Sequence, residues 1–127
     1  MKLLYLLVLS VAGCLCATAQ TSDPASLVHK WKYLGTEEFG VITPPDSLAK
    51  NDWLLLKSDG TFEWMQSGKN HSGTWKLNEP AKIISITDSK TNKTSRYNLK
   101  KVSATDLIIE YQTPDLVRTR YHYQVAE

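Results

Sequence analysis

The side chains best suited to proton transfer or metal binding are His29, His71 and His122. They fall on different segments, and no two share the one-turn spacing that presents paired imidazoles to a metal. Their chemistry is therefore expected to be hydrogen bonding or solvation. Ser67-Gly68 and Ser72-Gly73 place serines beside glycines, but no helical pattern follows to form the strand-to-helix elbow that exposes a hydrolase nucleophile. Gly68-Lys69-Asn70 and Asp59-Gly60 are turn chemistry for the same reason, since a phosphate loop needs a helix behind it. Asp46, Glu63 and Glu110 stand singly, on loops or outward faces, and are expected to be solvated. No carboxylate pair is set up for glycoside chemistry. The sequence thus predicts no catalytic residue, metal site or cofactor, and a non-enzymatic role.

Binding chemistry is better represented. Trp64, Tyr97, Tyr111, Tyr121 and Tyr123 combine large apolar rings with polar tips, the groups that line small-molecule pockets and orient a guest. Filling a narrow interior is the competing use of such rings. Trp31 and Trp75 read as structural; Trp64, Tyr121 and Tyr123 are the stronger pocket candidates.

These residues must be carried by strands. From Leu27 onward, apolar and polar residues alternate, with turn signals about every ten residues. The first run is VHKWKYLGTEE. A longer connection, FGVITPPDSLAKND, follows; Pro44-Pro45 interrupts any ladder, and Asp46 is placed to cap a short helix over 47–50. Further strands are expected at 53–57, 61–66, 72–77, 82–87, 95–102, 107–111 and 117–125. Eight strand candidates joined by short turns make an antiparallel meander. A flat sheet would leave two open edges and a bare apolar face, whereas closure into an eight-stranded up-and-down β-barrel removes both. A sandwich is the other solution for the same strands. Parity points Phe62, Trp64, Trp75, Leu77, Tyr97, Leu99, Leu107, Ile109, Tyr111, Tyr121 and Tyr123 to one side. Trp53-Leu54-Leu55-Leu56 is apolar on both faces, so its outer side needs a cover.

The start of the chain predicts export. Residues 1–19 carry Lys2, an apolar run and small residues before Gln20, the pattern of a signal peptide too short for a stable anchor. Two processing routes fit: cleavage after Ala19, or lipidation at Cys14 in the lipobox-like Val11-Ala12-Gly13-Cys14. The short stretch before Cys14 favours Ala19. Either route leads to a periplasmic or secreted protein, or to a membrane-anchored lipoprotein. The two cysteines, Cys14 and Cys16, both lie in this leader, so a chain starting at Gln20 has no disulfide and no thiolate ligand. Residues 20–26 form a polar spacer and 27–127 one domain. The formal charge is only +2 over 127 residues, with no basic block, which leaves nucleic acid without an electrostatic footprint. Membrane contact is expected only through the leader or a lipidated Cys14.

The domain resembles the bacterial lipocalin-like barrels. The resemblance rests on the exported start, the first-strand tryptophan in Leu27-Val28-His29-Lys30-Trp31, the long first connection, the arms LLLKSDGTFEW and HSGTWKL, the run KVSATDLIIEY and the tyrosine-rich last strand. It departs where lipocalins have Gly-x-Trp, because His29-Lys30-Trp31 lacks the glycine. The resemblance implies a barrel plugged at its closed end by Trp31, with Arg118 or Arg120 packed over it, that binds a small hydrophobic or amphipathic molecule. The second reading is a solid-core envelope or protein-interaction module, using the outer face of 53–56 or the 44–50 loop. Intracellular fatty-acid carriers grip a carboxylate with Arg-x-Tyr in the last strand. Here Arg120 directly precedes Tyr121, so the two face opposite ways and that clamp is not available.

Overall fold

The computed structural model describes residues 24–126; the expected leader, its expected cleavage site and Cys14 lie outside them. A one-turn helix, α1 (Pro24–Leu27), leads into nine strands: β1 (Lys30–Glu38), β2 (Val41–Thr43), β3 (Trp53–Leu56), β4 (Thr61–Gln66), β5 (Lys69–Asn78), β6 (Ile83–Asp88), β7 (Thr94–Val102), β8 (Asp106–Gln112) and β9 (Arg118–Val125). Every neighbouring pair is antiparallel, and β1 also pairs with β9 from Trp31↔Val125 to Glu38↔Thr119. That last pairing closes eight strands into a barrel, as the meander predicts, and leaves β2 as a flap on β1.

Hairpin chemistry explains the tight turns. Ser67-Gly68 and Phe39-Gly40 both have two positive φ angles, the primed-turn geometry whose twist matches a hairpin. The first lets β5 start at Lys69, three residues earlier than the sequence pattern suggests. The second creates β2, which the sequence reading had placed in an irregular connection. The expected helix over 47–50 is only a turn. Asp46 Oδ1 does accept the amides of Leu48 and Ala49 at 3.0 and 2.9 Å, but the chain must enter β3 too soon for a second turn.

The base of the barrel is solid. Leu27, Trp31, Leu54, Leu56, Phe62, Ile84, Leu107 and Ile109 are all essentially inaccessible to solvent. Trp31 donates its indole N–H to the Leu27 carbonyl at 3.0 Å, tying α1 under the barrel. Trp75 donates likewise to the Lys57 carbonyl at 2.9 Å. Residues 24–26, expected in the polar spacer, thus belong to a helical turn that brings Leu27 into the core. Arg118 and Arg120 do not reach Trp31. They stand at the start of β9, whereas Trp31 pairs with Val125 at its end; the edge of the His29 ring, 5.4 Å away, packs on Trp31 instead.

Outer-face polar groups correct one further expectation and answer another. Glu110 is not solvated but buried to 2 % exposure. Arg120 Nε donates to it at 2.9 Å and Lys100 Nζ lies 3.6 Å away. Burial alone would raise its pKa; the Arg120 hydrogen bond and the charges of Lys100, Arg120 and Arg118 outweigh that and hold it low. Trp53 finds its cover in Lys30, whose ammonium sits 4.8 Å from the ring centroid.

Gly73 marks the closest approach of two strands. A Cβ there would sit 1.9 Å from the Thr87 carbonyl oxygen, in backbone that has no slack. At Gly40 a Cβ meets nothing within 4 Å, and only the positive φ resists substitution. Gly73→Ala is therefore expected to lower the denaturation midpoint far more than Gly40→Ala, which should cost only about 1 kcal/mol; equal losses would remove the strand-contact explanation. Trp31→Ala should cost about 3–5 kcal/mol in equilibrium unfolding, and an unchanged melting curve would exclude it as the keystone of the base.

Candidate functional site

Halfway up the lumen the core gains tyrosines. β4 supplies Trp64, β7 Tyr97 and β9 Tyr123, each pointed inward by strand parity and each buried. Trp64 donates its indole N–H across the barrel to the Tyr123 hydroxyl at 3.1 Å. Tyr97 packs edge-on against Trp64 with centroids 5.5 Å apart, and contacts Tyr111 at 5.7 Å and Tyr121 at 6.4 Å. Tyr33 of β1 leans on Tyr123 at 5.6 Å and hydrogen-bonds Thr36 through its hydroxyl. All five aromatic residues expected at a ligand site are thus brought into one cluster, which forms a floor across the barrel.

Above that floor the wall opens because β1 divides its edge. Lys30–Lys32 pair with β3, but Thr36–Glu38 pair with β2 instead, and β3 begins only at Trp53, opposite Met65, so no strand bridges upper β1 and the β4–β5 turn. The 44–52 connection fills the gap. Asp52 fixes it there: its carboxylate accepts the Ser67 amide at 2.7 Å and the Gly68 amide at 3.3 Å, while its carbonyl accepts the Tyr33 amide at 3.1 Å. The result is a cavity of about 510 Å³ between barrel and connection. Tyr33, Tyr121 and Tyr123 form its barrel wall, Pro44, Pro45 and Asp46 the opposite one, with Met65 and Gln66 between them.

A second cavity of about 220 Å³ opens over the other side of the floor, against Trp64 and Tyr97. His71 and Asp88 meet there at 3.2 Å, and Lys93 and Ser95 complete the polar side. Asp88 Oδ1 also accepts the Lys90 and Thr91 amides. The Lys90 amide bond leads the contributions that keep this carboxyl below its ordinary pKa, despite opposing desolvation. Tyr111 belongs to neither cavity wall; it backs Tyr97 from behind. Among the described residues, no three His, Cys, Asp or Glu side chains converge as a metal site.

Sequence reasoning missed Tyr33, Asp52 and the two prolines as parts of the large cavity. Tyr33 shares the parity of Trp31, a signal that was available. Asp52 had none, because its role depends on a turn fifteen residues away.

Burial pushes the Tyr97 phenol up to about 12, helped by Tyr121 and resisted by a hydrogen bond with Ser95. Burial also raises Tyr123 well above its ordinary range, against the Trp64 hydrogen bond, and raises Tyr121 with help from Tyr33 and Glu38. A raised phenol pKa means that the neutral form is favoured by folding. Its contribution is complete below the unfolded value of about 10 and is lost as pH climbs through the folded one. Unfolding free energy should therefore fall from about pH 10 towards 12, with phenolate absorbance lagging behind that of the denatured chain. Tyr97→Phe should flatten part of that alkaline fall, and an identical slope in the variant would show that Tyr97 does not titrate late.

No family model matches the chain, and no curated protein matches it. Among solved structures, the crystal structure of a lipocalin-like protein from Bacteroides uniformis superposes with a TM-score of 0.59 at 18% identity, covering 79% of this chain and 98% of that one. Identity that low carries the fold and not the ligand. The closed eight-stranded antiparallel barrel and this superposition together give the chain a lipocalin-like fold.

Proposed function

We propose that the chain is an exported, non-catalytic binding protein that holds one small amphipathic molecule in the mouth of its barrel. The carrying observation is the cavity of about 510 Å³ standing on an aromatic floor, a size within the usual range for small-molecule sites of about 300–1,000 Å³. The base below is packed, so a guest enters the upper barrel only. Its apolar part would lie on Tyr123, Met65 and the two prolines, and its polar part near Tyr33, Thr36, Gln66 and Tyr121. Trp64 and Tyr97 support that floor from below and Tyr111 backs it. The non-catalytic reading is supported by the employment of three carboxylates: Asp52 holds a turn, Asp88 holds another and Glu110 pairs with Arg120. Export rests on the signal-like residues 1–19, and mature N-terminal mass would separate cleavage at Gln20 from lipidation at Cys14.

The interaction-module reading has an observation of its own. Phe39, Leu48 and Leu116, on connections near the mouth, are 86%, 69% and 74% exposed, more apolar surface than isolated loops need. The two readings separate on one experiment. Protein purified from an exporting host, extracted into organic solvent and analysed by mass spectrometry, should release a small molecule that a cavity-filling Tyr121→Trp variant does not carry. An empty extract, with no gain in melting temperature across a library of amphipathic compounds, would overturn the carrier and leave the apolar rim as the functional surface.

A further inference from the structure

We propose that the guest of the large cavity carries a positive charge, as an organic amine or quaternary ammonium group seated against the Tyr33 and Tyr121 rings. This rests on the carrier reading above and names the chemistry of its ligand. The charged side chains in the wall are Asp46 and Asp52, both acidic; no lysine, arginine or histidine contributes to it. A third carboxylate, Glu38, stands on the rim beside Tyr121, where it accepts the Thr119 hydroxyl at 3.0 Å. Several basic side chains lie outside this wall, and Lys50 of the same connection lines a separate pocket with Lys30 and Lys32. Lys30 lies over Trp53 on the outer face, Arg120 is held by Glu110, and Lys93 belongs to the smaller cavity.

The carboxylates and rings have separate parts. Asp52 spends both oxygens on the Ser67 and Gly68 amides, so it contributes field rather than contact. Asp46 uses Oδ1 on the Leu48 and Ala49 amides and is part of the cavity wall. Tyr33 and Tyr121 are only half-buried, so ring surface remains to face a guest. Phenol faces attract a cation through the ring quadrupole, most strongly where water is excluded. An anion in the same place would meet two carboxylates and no cationic side chain in the wall, a penalty that acts as selection against it. A neutral guest would gain the apolar contacts and nothing from the field.

The test uses three chain-matched probes: decyltrimethylammonium, decanol and decanoate. Each is titrated into the mature protein below its micellar range, by calorimetry and by tryptophan fluorescence. The cation should bind about tenfold more tightly than decanol, and decanoate most weakly. Added salt should narrow the gap between cation and anion. Asp46→Asn, which keeps the capping oxygen, should reduce the cation's advantage over decanol. Tyr121→Phe should retain that advantage, and Tyr121→Leu should lose it with a native-like melt. Equal affinity for the three probes, tighter binding of decanoate, or a preference untouched by both Asp46→Asn and Tyr121→Leu would overturn the charge assignment and leave a carrier of other ligands. Binding of none of the probes would overturn the carrier reading together with it.

Discussion

A hydrogen bond across the lumen, from the Trp64 indole to the Tyr123 hydroxyl, sets the division of this barrel into two halves. Strand parity sends both side chains into a space too dry to solvate their polar tips. An indole N–H left unpaired there would cost about 1–3 kcal/mol. The partner must come from the far wall, which fixes the separation of β4 and β9 across the barrel. Tyr97 then packs against the indole, and Tyr111 and Tyr121 against Tyr97. Below this crosspiece the side chains are apolar, and the indole N–H groups of Trp31 and Trp75 are met by the Leu27 and Lys57 carbonyls. Above it, hydroxyls and carboxylates must meet water, one another or a guest.

The opening above the crosspiece comes from the way β1 shares its edge. A strand has two edges, and β9 occupies one along the whole of β1. The other passes from β3 to β2 near a bulge at Tyr33/Gly35. The bulge allows the flap to approach closely: a Cβ at Gly35 would lie 2.7 Å from the Thr43 carbonyl oxygen. β2 is three residues long and ends in Pro44-Pro45, a short edge closed by residues that cannot donate to a further ladder. The wall is then completed by the 44–52 connection, held by polar contacts of Asp52 rather than by a strand.

Most of the barrel was legible because alternation is a local signal. Phe62, Trp64, Tyr97, Leu99, Leu107, Ile109 and Tyr123 follow from their own neighbours in sequence, and all are buried. Features that depend on remote pairing were not. β2 hides behind a Phe39-Gly40 turn in which a bulky residue takes a positive φ of 52°, a conformation its side chain gives no reason to expect. Glu110 looks like a solvated outward acid until Arg120 and Lys100 are brought beside it from adjacent strands. Arg118 and Arg120 looked available for Trp31 until register put them at the opposite end of β9. The candidate site shows the same split: its aromatic floor was visible in the strand pattern, whereas the acidic wall was not, since it is made by a connection folding back on a hairpin.

This arrangement keeps the packed core largely separate from the cavity. Hydrophobic burial is concentrated in the base, where Trp31, Leu54, Leu56 and Leu107 are sealed, so the mouth can carry carboxylates and half-buried phenols without endangering the fold. One wall of the large cavity belongs to the barrel and is rigid by construction. The other rests on a few hydrogen bonds of the connection, and segments held in that way sit at the low end of local stability. A guest touching both walls adds contacts that the empty connection lacks, and so stabilises the connection in proportion to its own binding. Side-chain changes in the 44–52 segment would alter what the mouth accepts while the strands beneath stay as they are. In this barrel the strands set the size of the site, and the connection sets its charge.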